Sequence, residues 1–196
     1  MSSPSVTIII PTIPTRSDTL IRSLKSVATQ DYPVYDVIVE TDTDGRGAAY
    51  TRQKALERVE TEWYIPLDDD DEFFPDGVSK LVETQIQTGA DYVYGHYEVI
   101  GGTDPRPENY GRPFDPENPT QTTVVAMART QKSLELGGYL DPYNDVTLKS
   151  PDRHYGGEDW LLTQRYISAK LSIVHCPHKV FKWYHHGKNT SGLPWI

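Results

Sequence analysis

The stretch EWYIPLDDDDEFFPDG, residues 62–77, sets four consecutive aspartates directly behind a short apolar run. Two carboxylates about 4 Å apart repel by roughly 1 kcal/mol in water and about 4 kcal/mol near a protein surface, so the run needs solvent, a cation or a task. EWYIPL has the aromatic and aliphatic character of a strand, which puts the aspartates at 68–71 at a strand's carboxyl end.

Working outward, SVTIII (residues 5–10) is an unbroken run rich in β-branched residues closed by Pro11, the pattern of a parallel strand buried on both faces, and YDVIVET (residues 35–41) repeats it. Between them, SDTLIRSLKSVATQ places Leu20, Leu24, Val27 and Ala28 at helical spacing, with Ser17 or Asp18 as N-cap. AAYTRQKALERVE predicts a second helix. After the aspartates, Pro75 suits the first turn of a third helix through DGVSKLVETQIQ, stopped by Gly89. Strand and helix alternate three times, the signature of a right-handed parallel α/β half. In such a sheet ligands bind beyond the carboxyl ends of the strands. Side chains alternate along extended chain, so Asp68 and Asp70 are expected on one side and Asp69 and Asp71 on the other, holding the loop.

The second half predicts strands in DYVYGHYEVI and TTVVAMART, a Pro-, Gly- and Asn-rich loop over residues 101–120, a helix over 157–169, and strands in LSIVHC and KVFKWYHH. Without a repeat or a low-complexity linker, the expectation is one domain over 1–196, its halves meeting near residue 100. The 28 acidic against 19 basic residues, net −9, argue against a broad nucleic-acid surface, although a nucleic-acid acceptor is not excluded by this. The lone Cys176 fits a buried thiol in a reducing compartment. No run approaches the roughly 18 apolar residues of a membrane span. The protein is therefore expected to be soluble and cytoplasmic.

The aspartates have rival readings. A wet acidic turn would favour the following helix through its dipole. A calcium loop starting at Asp68 fails because Phe73 stands where glycine is required, and one starting at Glu40 fails at Glu40 itself and at Thr51. GRGAAY (residues 45–50) carries Tyr50 in place of the third glycine of a dinucleotide loop, yet its glycines let the next helix aim N–H groups at an anion. Hard cations such as Mg²⁺ or Mn²⁺ reach proteins through one or two carboxylates plus substrate phosphates, so an Asp-x-Asp here could hold a metal–diphosphate unit.

Taken in order, VTIIIPTIPTR, VIVETDTDG and GAAYTRQKALERVETEWYIPLDDDDEFFPDG resemble the nucleotide-sugar half of a GT-A glycosyltransferase of the family 2 type. The resemblance implies the GT-A fold, an α/β, Rossmann-like, mostly parallel central sheet flanked by helices. It also implies donor contacts from Pro11, Thr12 and Asp42. Thr51-Arg52-Gln53 stands where the family has an Ala-Arg-Asn-like signature, with Gln53 a departure. The Asp-x-Asp pair maps to Asp68 and Asp70, with Asp70 the metal ligand; the register one residue later would use Asp69 and Asp71. GGEDWLLTQRY is similar to the family's Glu-Asp helix start, which makes Asp159 the general base of an inverting enzyme and leaves Glu158 and Trp160 as acceptor or sugar contacts. WYHHGKNTSG resembles the segment where a histidine completes the metal site, and His186 matches better than His185.

The implied reaction moves a sugar, a hexose first of all, from a nucleotide-diphosphate donor, UDP-linked for preference, to an acceptor hydroxyl, with Mn²⁺ or Mg²⁺ as cofactor. Arg16 or Arg52 would add positive charge near the phosphates. Asp69 is included among the donor-binding candidates. A nucleotidyltransferase would want a glycine- and lysine-bearing phosphate loop, which PTIPTRSDT lacks. An inactive sugar-binding scaffold on the same fold is the non-enzyme alternative. A zinc site from His175, Cys176, His178, His185 and His186 is a further rival, without paired cysteine spacing. Tyr94, His96, Tyr97 and Tyr110 supply aromatic surface for an acceptor or for packing.

Overall fold

The computed structural model describes residues 3–104, 108, 110–115, 117, 122–140 and 157–186. Strand β1 (Val6–Thr12) is buried at every position, because parallel neighbours take both its edges and packed side chains take both its faces. On one edge lies β2 (Asp36–Thr41) and on the other β3 (Trp63–Pro66), both parallel to it. Helices α1 (Ser17–Ala28) and α2 (Ala48–Leu56) link the three strands. The chain continues through β4 (Glu72–Phe73), α3 (Gly77–Thr88), β5 (Tyr92–Ile100), β6 (Ala126–Arg129), α4 (Thr130–Glu135), α5 (Glu158–Ser168) and β7 (Ile173–Tyr184).

A seven-stranded sheet results, in the order β2-β1-β3-β6-β5-β7-β4. The pairs β1–β2, β1–β3 and β5–β7 are parallel, and β6 runs antiparallel between β3 and β5. Period-two alternation distributes β1 between two core clusters: Val6, Ile8 and Ile10 face one, Ile9 the other. Since β1, β2 and β3 share a direction, the loops that leave their carboxyl ends converge on one edge of the sheet. That convergence builds the cleft described below.

Several expectations shift in detail. Helix α1 starts at Ser17 with Arg16 in the cap position, in place of a Ser17 or Asp18 cap. Pro75 stands two residues before α3 begins, outside its first turn, and Gly89, at φ +69°, ends the helix with its N–H donating to Gln85 O at 2.7 Å. LSIVHC and KVFKWYHH are one strand, β7. Pro177 cannot donate to a ladder, and the pairing jumps there from Gly95↔Cys176 to His96↔Lys179 and on to Tyr97↔Phe181. Cys176 is a fully buried free thiol in β7. TTVVAMART narrows to β6 and runs directly into α4. Much of the loop over 101–120 lies outside the described residues. No helix among the described residues is long and apolar enough to cross a membrane.

Helix α3 lies against β7 so closely that a Cβ on Gly77 would stand 2.3 Å from the Val180 carbonyl oxygen and 3.3 Å from Phe73 Cδ1. Gly77→Ala is therefore expected to cost about 1–3 kcal/mol, read as a lower urea midpoint at unchanged slope. A second test concerns pH. Burial, and after it the neighbouring His96, push His175 down to about 4, with the two rings edge to face at 4.4 Å. In the unfolded chain a histidine titrates near about 6.5. The unfolded state thus binds the extra proton between these values, and the stability held above about pH 6.5 is lost as pH falls toward 4. Circular-dichroism melts should show Tm falling over that window, with a flatter profile in His175→Phe.

Candidate active site

The acidic run does not stay extended. Asp71 N–H donates to Asp68 O at 3.1 Å and closes a turn, so Asp68, Asp69 and Asp70 all border one cleft of about 190 Å³. Asp71 is fully buried beneath them and does not line the cleft, its Oδ1 accepting Tyr184 N–H at 3.1 Å. The expected alternation does not hold, because a turn has no period of two: Asp69 faces the cleft with Asp68 and Asp70, and an Asp71 oxygen lies within 4.8 Å of oxygens of Asp68 and Asp70.

Helix α1 pins this turn. The Ser23 hydroxyl lies 3.0 Å from Asp68 O and 2.5 Å from Asp71 O, and Arg22 Nη2 donates to Asp70 O at 2.6 Å. From the end of β1, Thr12 Oγ1 donates to Asp69 Oδ2 at 2.6 Å. Arg16 Nη1 reaches Asp69 Oδ1 at 2.8 Å and Asp70 Oδ2 at 3.1 Å. Pro11 borders the same cleft beside Thr12.

Asp42, at the end of β2, lines the cleft while its carboxylate also takes Arg46 N–H at 2.9 Å and Gly47 N–H at 2.7 Å. Its slight burial would raise its pKa, but the backbone N–H groups of Gly47, Arg46 and their neighbours outweigh this and hold it below the usual carboxylate range. Gly47, at φ +89°, makes the sharp entry to α2. On α2, Arg52 is buried and ion-paired with both Asp68 and Glu158. Burial pulls its pKa down, and the charges of Asp68 and Asp159 more than restore it. Gln53, the departure from the family signature, is structural: its Oε1 accepts Tyr139 N–H at 3.0 Å and its Nε2 donates to Glu57 at 2.9 Å.

At the start of α5, Glu158 reaches the site through Arg52. Asp159 Oδ1 accepts its neighbour Trp160 N–H at 2.9 Å, and neither Asp159 nor Trp160 lines the cleft. The two C-terminal histidines separate cleanly. His185 stacks on Trp183, rings 5.4 Å apart at 12°, whereas His186 Nε2 lies 2.9 Å from Asp70 Oδ2. His175 turns to Gly111 O at 3.0 Å, and among the described residues the zinc candidates form no cluster with ligand spacing. Among the described residues, the cluster with metal-ligand spacing is Asp68, Asp70 and Asp71, each with an oxygen within 4.8 Å of the others. Burial first, and then Asp68, push the Asp70 carboxyl up against the pull of His186 and Arg16. A carboxylate cluster still short of positive charge is a fit for a hard divalent cation. Sequence reasoning missed Ile13 and Trp183, which also border the cleft; Trp183 sits one turn of the pleat before His185, the signal that could have flagged it.

A three-strand parallel edge with an acidic turn at the end of its third strand, followed by an antiparallel β6, is the GT-A arrangement of glycosyltransferases. The chain superposes on Staphylococcus aureus TarS 1–349 in complex with UDP-GlcNAc with a TM-score of 0.76, at 16% identity, over 98% of this chain and 62% of that one. For S. aureus TarS 1–349 alone the values are 0.72, 16%, 92% and 60%, and for its complex with UDP 0.69, 15%, 92% and 60%. The chain thus spans less than two thirds of the length of these structures. Residues 35–131 match the family described as Glycosyl transferase family 2. No curated protein sequence matches it.

Removing the Arg52 guanidinium would leave Asp68 and Glu158 facing each other without a cation. Arg52→Gln is expected to cost about 3 kcal/mol, the lower end for a broken buried pair because Asp68 is partly wet. Denaturant unfolding reads this directly, with Arg52→Lys falling between the two.

Proposed function

We propose that the chain is a metal-dependent, inverting glycosyltransferase that moves a sugar from a UDP-linked donor to an acceptor hydroxyl. One observation carries the reading: Asp68, Asp69 and Asp70 turn onto a single cleft together with Arg16 and Arg52, at the carboxyl ends of parallel strands. The relatives of this fold include a protein crystallised with UDP-GlcNAc and with UDP, which supports a nucleotide-sugar donor. Residues 1–100 form the donor half and residues 101–196 the acceptor half.

Asp70, supported by Asp68 and His186, would hold Mn²⁺ or Mg²⁺, which when bound supplies positive charge to the departing diphosphate. Asp42 and the backbone at Gly47 orient the nucleoside, and Arg16 and Arg52 balance phosphate charge. Asp159 accepts the acceptor's hydroxyl proton as its oxygen bonds to the anomeric carbon. The bond from that carbon to the phosphate oxygen breaks on the opposite face, and the nucleoside diphosphate leaves with the electron pair. Glu158 and Trp160 contact acceptor or sugar hydroxyls beside the base.

Calorimetry with UDP tests the donor reading: binding that requires Mn²⁺ and vanishes in Asp70→Ala supports it, and no binding in either condition removes it. A screen of nucleotide sugars for metal-dependent hydrolysis then names the sugar. Asp159→Asn should keep UDP binding and lose about 10²–10⁴-fold in transfer; near-full transfer would show that Asp159 is not the base.

A further inference from the structure

The two guanidiniums of the cleft are held in opposite ways. Arg52 is buried and locked between two acids, Asp68 and Glu158. Arg16 stands on the rim, its side chain 33% exposed, and lies on the oxygens of Asp69 and Asp70 at 2.8 and 3.1 Å. The Asp70 oxygen it touches, Oδ2, is the one that His186 Nε2 approaches at 2.9 Å. A divalent ion shared by that oxygen and His186 would therefore lie directly beside the Arg16 guanidinium, a like charge, for as long as Arg16 stays on Asp70. Arg16 has a hinge for leaving: its backbone is anchored by Arg16 N–H to Ile13 O at 3.1 Å and by Thr19 Oγ1 to Arg16 O at 3.0 Å, so the side chain can swing while α1 stays in place.

We propose that Arg16 is a resident counter-ion that keeps the carboxylate cluster from taking a bare divalent cation and yields Asp70 only when a nucleoside diphosphate arrives to receive the guanidinium. Metal and diphosphate then bind as a mutually dependent pair. This rests on the metal–diphosphate reading of the cleft. Arg16 has two alternative anionic partners, the Asp69–Asp70 pair and the phosphates, and each ligand favours the exchange that the other completes. By linkage, UDP must tighten Mn²⁺ by the same factor as Mn²⁺ tightens UDP. Arg16→Gln removes the counter-ion without touching the anchored backbone, so it acts on the two ligands in opposite directions.

The experiment titrates MnCl₂ alone, UDP alone, and each in the presence of the other into wild type, Arg16→Gln and Arg16→Lys, with thermal melts as the folding control. In Arg16→Gln, bare Mn²⁺ is expected to bind about three- to tenfold tighter, because a like charge is gone. UDP in saturating Mn²⁺ should bind about tenfold weaker, because a charge-assisted contact is gone, and the mutual factor should shrink. Arg16→Lys, which keeps the charge, should keep bare Mn²⁺ weak. Both ligands weakening together in Arg16→Gln, or an unchanged mutual factor, overturns the proposal while leaving the donor site standing. Arg16→Lys matching Arg16→Gln for bare Mn²⁺ overturns the charge argument. If wild type binds neither Mn²⁺ nor UDP, the reading of the cleft falls and the proposal with it.

Discussion

Mutual repulsion among adjacent carboxylates is the constraint that organises this molecule. The turn closed by Asp71 N–H on Asp68 O gathers the aspartates at 68–71, and like charges cost about 4 kcal/mol for a pair 4 Å apart near the surface. The chain answers by bringing hydrogen-bond donors and cations to every one of these acids. Asp68 takes Arg52 from α2, Asp69 takes Thr12 and Arg16 from the end of β1, Asp70 takes Arg16 and His186, and Asp71 takes the backbone N–H of Tyr184 in β7. These partners are scattered from residue 12 to residue 186. The acidic turn is consequently the point at which the separate elements are tied together, and the ability to hold a charged ligand and the arrangement of the fold share one set of contacts.

Arg52 extends this linkage across the sheet. Its guanidinium joins the donor side at Asp68 to the first turn of α5 at Glu158, and the next residue, Gln53, holds Tyr139 N–H. Tyr139 in turn meets Tyr64 of β3, whose hydroxyl donates to Ser133 of α4 at 3.0 Å. Buried hydroxyls of this kind stay costly unless each finds a partner, so the chain of bonds favours one placement of α4 and α5 against β3. The helix that carries Glu158 and Asp159 is positioned by polar contacts as well as by Leu162 and Tyr166 in the core.

How much of this is legible in the sequence follows from range. Strands β1 and β3 announce themselves because a strand buried on both faces must be apolar throughout, β2, which lies at the sheet edge and fully buries only Ile38, through its β-branched run, and α1 and α3 because a buried stripe repeats every turn. A two-residue strand such as β4 exists only through its pairing with Lys182 and Phe181, and TQKSLE in α4 is too short to show a period. Around the cleft, Thr12, Asp42 and Asp70 are readable because their motif order ties them to strand ends, and Arg16 and Arg52 because they sit at the cap of α1 and within α2, the helices that follow β1 and β2. The direction in which Asp69 points is not, since it depends on a turn hydrogen bond that leaves no compositional mark. Nor is the split between Glu158, which reaches the cleft through Arg52, and Asp159, whose carboxylate caps its neighbour's N–H.

The choice between His185 and His186 shows how a distant irregularity decides a local chemistry. Along β5 and β7 the partners run Gly95↔Cys176, then His96↔Lys179, then Tyr97↔Phe181, and regularly on to Ile100↔Tyr184. The first jump absorbs Pro177, which has no N–H for the ladder. The second sets the parity of everything after it. Were it absent, Ile100 would face Trp183, every later side chain of β7 would stand one place further along, and His185 would occupy the position from which His186 now meets Asp70. A one-residue slip turns each side chain to the opposite face, so nothing local to WYHHG could choose between its histidines. Tight packing then holds the choice: a Cβ on Gly101 would stand 2.8 Å from His185 O, and one on Gly102 would stand 2.2 Å from the His185 ring. Only a side-chain-free pair at the end of β5 lets His185 lie flat on Trp183 and leaves His186 for the acids.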